Sequence, residues 1–151
     1  MDIAEDSPAA ELSNFPLRPF IFRGLPANSM EGLLQALKFG DPEKQKLVMT
    51  LVGKAAKFKG KKKRWWRDQT LFWQGTAIKR DSDEFQLLLD EAFDALFTQN
   101  EEARQTLLAT GDAVLTHTMG KQDPTTTVLT EQEFVSRLMG IRARLTLTSP
   151  E

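Results

Sequence analysis

The residues best placed to do chemistry are Glu31, Gln35 and Lys38, which follow one another at spacings of four and three. On a helix advancing 100° per residue they fall within about 60° of one another. A carboxylate, an amide and an amine on one strip can stabilise a developing positive charge, move a proton or present a nucleophilic nitrogen. Met30, Leu33, Leu34 and Leu37 cover another side of the segment, and Ala36 and Phe39 narrow the polar strip further. A strip that thin suits a cleft. The plainer alternative is a solvated face whose Glu-to-Lys order adds only ~0.2–0.5 kcal/mol per pair. With Ser29 as N-cap, Glu31 lies in the first turn, where the macrodipole favours its ionised form. That suits charge stabilisation or a base, whereas a general acid would need burial to raise its pKa against the dipole.

A second group is basic. Every charged residue from Lys54 to Arg67 is positive (Lys54, Lys57, Lys59, Lys61, Lys62, Lys63, Arg64, Arg67), although the net charge is −1. Acidic residues dominate from Asp81 to Glu102, and such asymmetry can guide an anionic ligand to one side of a molecule. Lys59–Arg67 also carries Trp65 and Trp66. It reads either as a surface that holds phosphates and stacks on bases, or as a solvated loop pinned by its tryptophans. Trp73, next to a glycine turn, can stack on a ligand ring or fill the core. The turn Thr110-Gly111-Asp112-Ala113 can present a carboxylate or backbone N–H groups, and Asp123, before Pro124, belongs to an exposed extended or turn segment. His117 reads as an ordinary strand histidine.

Composition excludes several classes. Without cysteine there is no disulfide, thiolate nucleophile or zinc-thiolate site, and a single histidine rules out any two-histidine metal site or mechanism. No Gly-rich phosphate loop or serine-nucleophile elbow is present, so neither a metal nor a cofactor is expected. No apolar run approaches the ~20 residues of a membrane span. The acidic start Met1–Asp6 lacks the order of a secretory signal. The expectation is a cytoplasmic protein with no membrane contact.

These side chains need a scaffold, and 151 residues fit one domain. Residues 1–10 are expected to fray, 11–145 to form the domain and 146–151 to form a tail. Pro19–Arg23 reads as a short strand ending at Gly24 and Pro26. The first helix spans Ser29 to Phe39 and stops at Gly40-Asp41-Pro42. A second starts near Pro42 and runs to about Lys59, with Leu47, Val48, Leu51, Val52 and Ala55 at helical spacing. Leu71–Gly75 follows as an apolar stretch ending in a turn. A third helix spans Ser82–Thr98 around Phe85, Leu88, Leu89, Ala92, Phe93 and Leu96, and a fourth spans Glu101–Ala109. Ala113–Thr118 suits a brief strand. Thr130-Glu131-Gln132-Glu133 has capping-box form and opens a last helix with Phe134, Leu138 and Ile141 inward. The fold class is mainly α, α+β at most: a compact multihelical domain with one or two short β pieces.

Seven segments, in order, resemble the NADAR (YbiA-like) superfamily: Leu12–Phe15, Pro19-Phe20, Ser29-Met30-Glu31, Gln35–Phe39, Leu96–Asn100, Leu107–Ala113 and Arg137–Arg142. They span residues 11 to about 145. The resemblance implies a YbiA-like fold and an N-glycosidase, acting on ADP-ribosylated nucleobases (notably guanine in DNA), on nucleotides, or on phosphoribosylamino intermediates of riboflavin synthesis. It implies that Asn14, Glu31 and Lys38 line the pocket, with Glu31, Lys38 and Asp123 catalytic. Phe15, Gln35 and Asp112 join Asn14 as substrate-binding residues, together with Trp73 or Trp66 as the family tryptophan. The chain departs from the family pattern at Gly32-Leu33, where His or Tyr is usual, at His117, and at Pro124–Thr127. It contains no tyrosine. It reads as a divergent branch.

In such an enzyme a carboxylate near the sugar C1 lowers the barrier to an oxocarbenium-like transition state. Lys38 would bind a phosphate or ribose oxygen as a cation, or, if desolvation lowers its pKa, attack the opened sugar as an amine and form a Schiff base. The expected partner is an ADP-ribosylated base, nucleotide or DNA, with a weak nucleic-acid contact through Lys59–Arg67. A module that binds ADP-ribose or nucleic acid without turnover is the non-enzymatic alternative.

Overall fold

The computed structural model describes residues 1–4, 8–118 and 120–148. Ser29 opens the first helix as its type predicts: its Oγ accepts the Gly32 N–H at 2.9 Å and donates to the Leu51 carbonyl at 2.9 Å. Helix α1 is Met30–Ala36. The Lys38 and Phe39 N–H groups then bond to the Gln35 and Ala36 carbonyls at 3.1 and 3.0 Å, so a tightened last turn keeps Lys38 in line with Glu31 and Gln35. Met30, Leu33, Leu34, Ala36, Leu37 and Phe39 are all buried, and the polar strip is as thin as expected.

The long second helix expected from periodicity is two helices, α2 (Pro42–Met49) and α3 (Gly53–Lys61). The break has a tertiary cause. The Asn28 N–H takes the Met49 carbonyl at 2.9 Å, its Nδ2 takes that of Thr50 at 3.0 Å, and Ser29 Oγ takes that of Leu51. Carbonyls that would have continued the helix are diverted to the start of α1. Gly53, at φ +54°, begins α3 and gives its N–H to the Phe15 carbonyl at 3.0 Å. Leu47 and Ala55, expected inward, are exposed in consequence.

The β pieces are two antiparallel hairpins: β1 (Phe20–Phe22) with β2 (Leu25–Ala27), and β3 (Thr70–Trp73) with β4 (Thr76–Lys79). Each turns on an X-Gly pair with positive φ at both residues, +49° and +81° at Arg23-Gly24 and +47° and +88° at Gln74-Gly75, as a type I′ turn requires. Register pairs Phe22 with Leu25 and Trp73 with Thr76. Fully buried Gln45 staples α2 to its neighbours: its Nε2 donates to the Ala36 and Phe72 carbonyls at 3.0 and 2.8 Å, and its Oε1 accepts from the Gln74 N–H at 2.8 Å.

The remaining helices follow expectation closely. Ser82 caps α4 (Asp83–Gln99), which buries Phe85, Leu88, Leu89, Ala92, Phe93 and Leu96, and Asn100 caps α5 (Glu101–Leu108). The capping box is formed: Glu133 N–H to Thr130 Oγ1 at 3.2 Å and Thr130 N–H to Glu133 Oε1 at 2.9 Å. It opens α6 (Glu131–Thr148), with Phe134, Leu138 and Ile141 buried. Two expectations at the termini change. Residues 1–4 do not fray, because Ile3 is buried and the segment bridges Thr116, with Ile3 N–H to Thr116 O and Thr116 N–H to Met1 O both at 2.8 Å. Residues 5–7 of that stretch lie outside the described residues. The helix passes the expected domain end at 145 and reaches Thr148, while 149–151 lie outside the described residues. The strand expected at Ala113–Thr118 is reduced to the single bridge at Thr116. Among the described residues the fold is thus six α-helices around one core with two hairpins, and no helix is long and apolar enough to cross a membrane.

Candidate active site

Glu31, Gln35 and Lys38 are half-buried on one strip of α1. Gln35 Nε2 donates to Glu31 Oε2 at 3.3 Å, a long bond for a charged acceptor. The backbone N–H of Glu31 is taken by the Asn14 carbonyl at 3.0 Å, so the Asn14–Phe15 segment abuts the start of the strip. Helix α3 closes the other side. Gly60 is buried against Gln35, and a Cβ there would fall on the Gln35 side-chain oxygen. That oxygen is buried without a hydrogen-bond partner among the described residues. Gly32 is explained the same way: a Cβ would lie 2.5 Å from the Leu51 carbonyl oxygen and 2.9 Å from that of Met49. The close approach of α1 to the α2–α3 connection leaves no room there for the His or Tyr usual in the resembled family.

Burial raises the Glu31 carboxyl pKa above its ordinary value, against the Gln35 hydrogen bond and the charges of Lys38 and Lys57. Burial likewise lowers the Lys38 ammonium; Glu31 opposes that shift, while Lys121 and Lys57 reinforce it. Desolvation thus outweighs the first-turn dipole at Glu31. A carboxylic acid shifted up beside an amine shifted down is a pairing typical of reactive sites. Lys57 and Lys121 complete the surroundings. Lys57 was legible only as one member of the basic run, and nothing in the local pattern marked Lys121, which arrives on the 121–127 loop. That loop is tied down by Gln69, whose Nε2 donates to the Thr125 and Trp66 carbonyls at 2.7 and 2.8 Å.

The other expected site residues scatter. Asn14 adjoins the strip through its carbonyl, Phe15 accepts the Gly53 N–H at the start of α3, and both are half-buried. Asp123 is exposed; its carboxylate accepts from Thr125 Oγ1 at 2.7 Å and the Thr125 N–H at 2.9 Å, which hold its pKa below the usual range. Trp73 meets Phe22 edge-on at 4.9 Å, with the Arg23 guanidinium 5.6 Å from its ring, and packs on the core. Trp66 is exposed beneath Arg67, whereas Trp65 is buried. Asp112 is exposed on a turn held from behind by buried Arg142, which bonds Thr110 Oγ1 at 2.8 Å and the Ala113 carbonyl at 2.7 Å. His117 packs edge-on against Phe134 at 5.7 Å. Among the described residues no cluster of His, Asp or Glu could hold a metal ion.

The fold that carries this strip is YbiA-like. The NMR structure of E. coli YbiA matches with a TM-score of 0.61, covering 97% of this chain and 88% of that one at 21% identity. The expected YbiA-like fold is borne out. At the level of sequence, the family model of bacteriophage protein GP30.3 matches residues 6–143. A 17.1 kDa protein of the Gp30–rIII intergenic region of Enterobacteria phage T4 is 34% identical over 143 residues, 91% of this chain and 92% of that protein. The chain belongs to the bacteriophage GP30.3 family.

Proposed function

We propose that the chain is an N-glycosidase that hydrolyses the bond between a base and an ADP-ribosyl or phosphoribosyl group. The observation that carries this reading is the pairing on α1 of a carboxyl raised by burial with an amine lowered by burial. Cleavage leaves positive charge at the sugar C1, which the Glu31 carboxylate is placed to stabilise. Lys38 in its neutral form attacks C1 as the glycosidic bond breaks. The departing base takes up a proton, the opened sugar is held as a Schiff base, and water releases it to restore the amine. The resemblance to NADAR N-glycosidases supplies the reaction class, and the YbiA-like fold agrees with it. The exposed cations of α3 beside the strip favour an ADP-ribosyl substrate, carried on guanine in DNA or on a nucleotide, over a small riboflavin-pathway intermediate.

A product assay tests the reading: guanine-ADP-ribosylated DNA, ADP-ribosylated nucleotides and phosphoribosylamino riboflavin intermediates, each with wild type, Glu31→Ala and Lys38→Ala. Release from one substrate by wild type, lost in both variants while binding persists, is the expected result. Borohydride added during turnover should trap a covalent adduct at Lys38; turnover with no adduct would remove the Schiff-base step. The second reading, binding without turnover, is favoured by Asp123, whose carboxylate is occupied by Thr125. It gains if the wild type binds these ligands and releases nothing.

A further inference from the structure

Of the ten Phe and three Trp in the chain, those exposed among the described residues are Phe58 and Trp66, and both lie in the stretch without acidic residues from Lys54 to Arg67. All eight cations of that stretch are exposed. Among the described residues none of the eight forms a salt bridge, whereas Arg18, Arg23, Arg80, Arg104, Arg137 and Arg144 each pair with a carboxylate. Each exposed ring instead carries a cation of its own: Lys62 Nζ lies 4.9 Å from the Phe58 ring centre and the Arg67 guanidinium 5.9 Å from that of Trp66. A folded domain has no packing reason to expose two large rings here, at 61% and 47%. Nor does stability explain unpaired like charges, which repel.

We infer that α3 and the adjoining Trp65–Arg67 turn form a docking surface for single-stranded nucleic acid, with Phe58 and Trp66 as stacking platforms and the surrounding lysines and arginines holding phosphates. The rings select the single strand, because a base must leave a duplex stack to lie on an aromatic face, while the cations bind any phosphate backbone. Helix α3 carries this surface and also the face that packs on the α1 strip. Gly60 of α3 packs on Gln35, and Lys57 acts electrostatically on both Glu31 and Lys38. A bound strand would therefore lie on the helix that walls the candidate active site; this link rests on the reading of that site, while the surface itself does not.

The test is fluorescence anisotropy of a labelled thymidine 12-mer, single-stranded or annealed to its complement, across a salt series, using the intact chain. The single strand should bind more tightly than the duplex. Phe58→Ala with Trp66→Ala should weaken single-strand binding about tenfold or more without changing the salt slope. Lys61→Gln, Lys62→Gln and Lys63→Gln together should lower the slope of log K against log salt by about 2. Both ring substitutions are at exposed positions, and circular dichroism verifies each fold. Equal affinity for duplex and single strand, an unchanged affinity in the double ring variant, or no binding at low salt would each overturn the proposal. Because binding is read without turnover, it can hold while the glycosidase reading fails, and the reverse.

Discussion

Glu31 and Glu133 are both half-buried glutamates in the first turn of a helix, each near a cation and a glutamine amide. Their surroundings differ in how completely the carboxylate is served. Burial alone would raise Glu133, but it accepts from Arg80 at 2.6 Å, from the Thr130 N–H at 2.9 Å and from Gln86 at 2.7 Å, and these hold its pKa below the usual range. Glu31 accepts one long side-chain bond, from Gln35, and burial carries its pKa upward. Arg80, almost wholly buried, bridges the Thr127 carbonyl and Glu133 and so ties the 121–127 loop to α6. One cluster spends its polar groups on holding elements together. The other leaves a carboxyl and an amine under-served on a narrow strip, which stabilises nothing and leaves both available to a ligand.

The contrast breaks most visibly at Glu133. Replacing it with Ala strands the Arg80 guanidinium in the interior, and urea unfolding should show a loss of about 3 kcal/mol. Turnover or ligand binding per folded molecule should fall far less than in Glu31→Ala. Gly32→Ala comes next. Its Cβ would press on the Leu51 and Met49 carbonyls beneath the strip, for an expected loss of ~2–3 kcal/mol in the same measurement. Gly60→Ala should lose about 1 kcal/mol by displacing Gln35, yet in a Gln35→Gly background, which also removes the Cβ that would lie 3.1 Å away, it should gain ~0.5–1 kcal/mol, as alanine normally does inside a helix. That reversal of sign reports the α3–Gln35 contact directly.

Acid titration gives the smallest and most specific separation. The Glu133 carboxyl sits below its unfolded value, so its contribution is present above the unfolded pKa and lost as pH falls through the folded one. The Glu31 carboxyl sits above its unfolded value, so the native state holds that proton more tightly and stability falls as pH rises from the unfolded towards the folded pKa. Unfolding free energies of wild type and Glu133→Gln should therefore converge as pH falls through the folded Glu133 pKa. Those of wild type and Glu31→Gln should converge once acid protonates Glu31. For Lys38 the penalty is present below its lowered pKa and is relieved as pH rises through it.

Features set by neighbouring residues were legible in the sequence. The Ser29 and Ser82 caps, the Thr130–Glu133 capping box, and the apolar spacing of α4 and α6 all depend on side chains within about a turn of one another. The strip itself was legible for the same reason. What escaped was decided across long separations. The break between α2 and α3 is imposed by Asn28 and Ser29, some twenty residues upstream, and Gly53 is its one local mark. Gly32, a departure from the pattern of the NADAR sequences that the chain resembles, becomes intelligible only once the Leu51 carbonyl lies against it. Lys121 acts on Lys38 because Gln69 and Arg80 tie down its loop. The pKa of Glu31 follows from burial, which outweighs the dipole that its position alone suggested.

Two measurements on Glu31→Gln bear most directly on the under-served carboxyl: urea unfolding near neutral pH and product release from the preferred substrate. The amide keeps the size of the side chain and removes a charge that burial disfavours. The variant should be more stable than wild type and release no product. A variant that is less stable, or that still turns over at the wild-type rate, would contradict this role for the carboxyl.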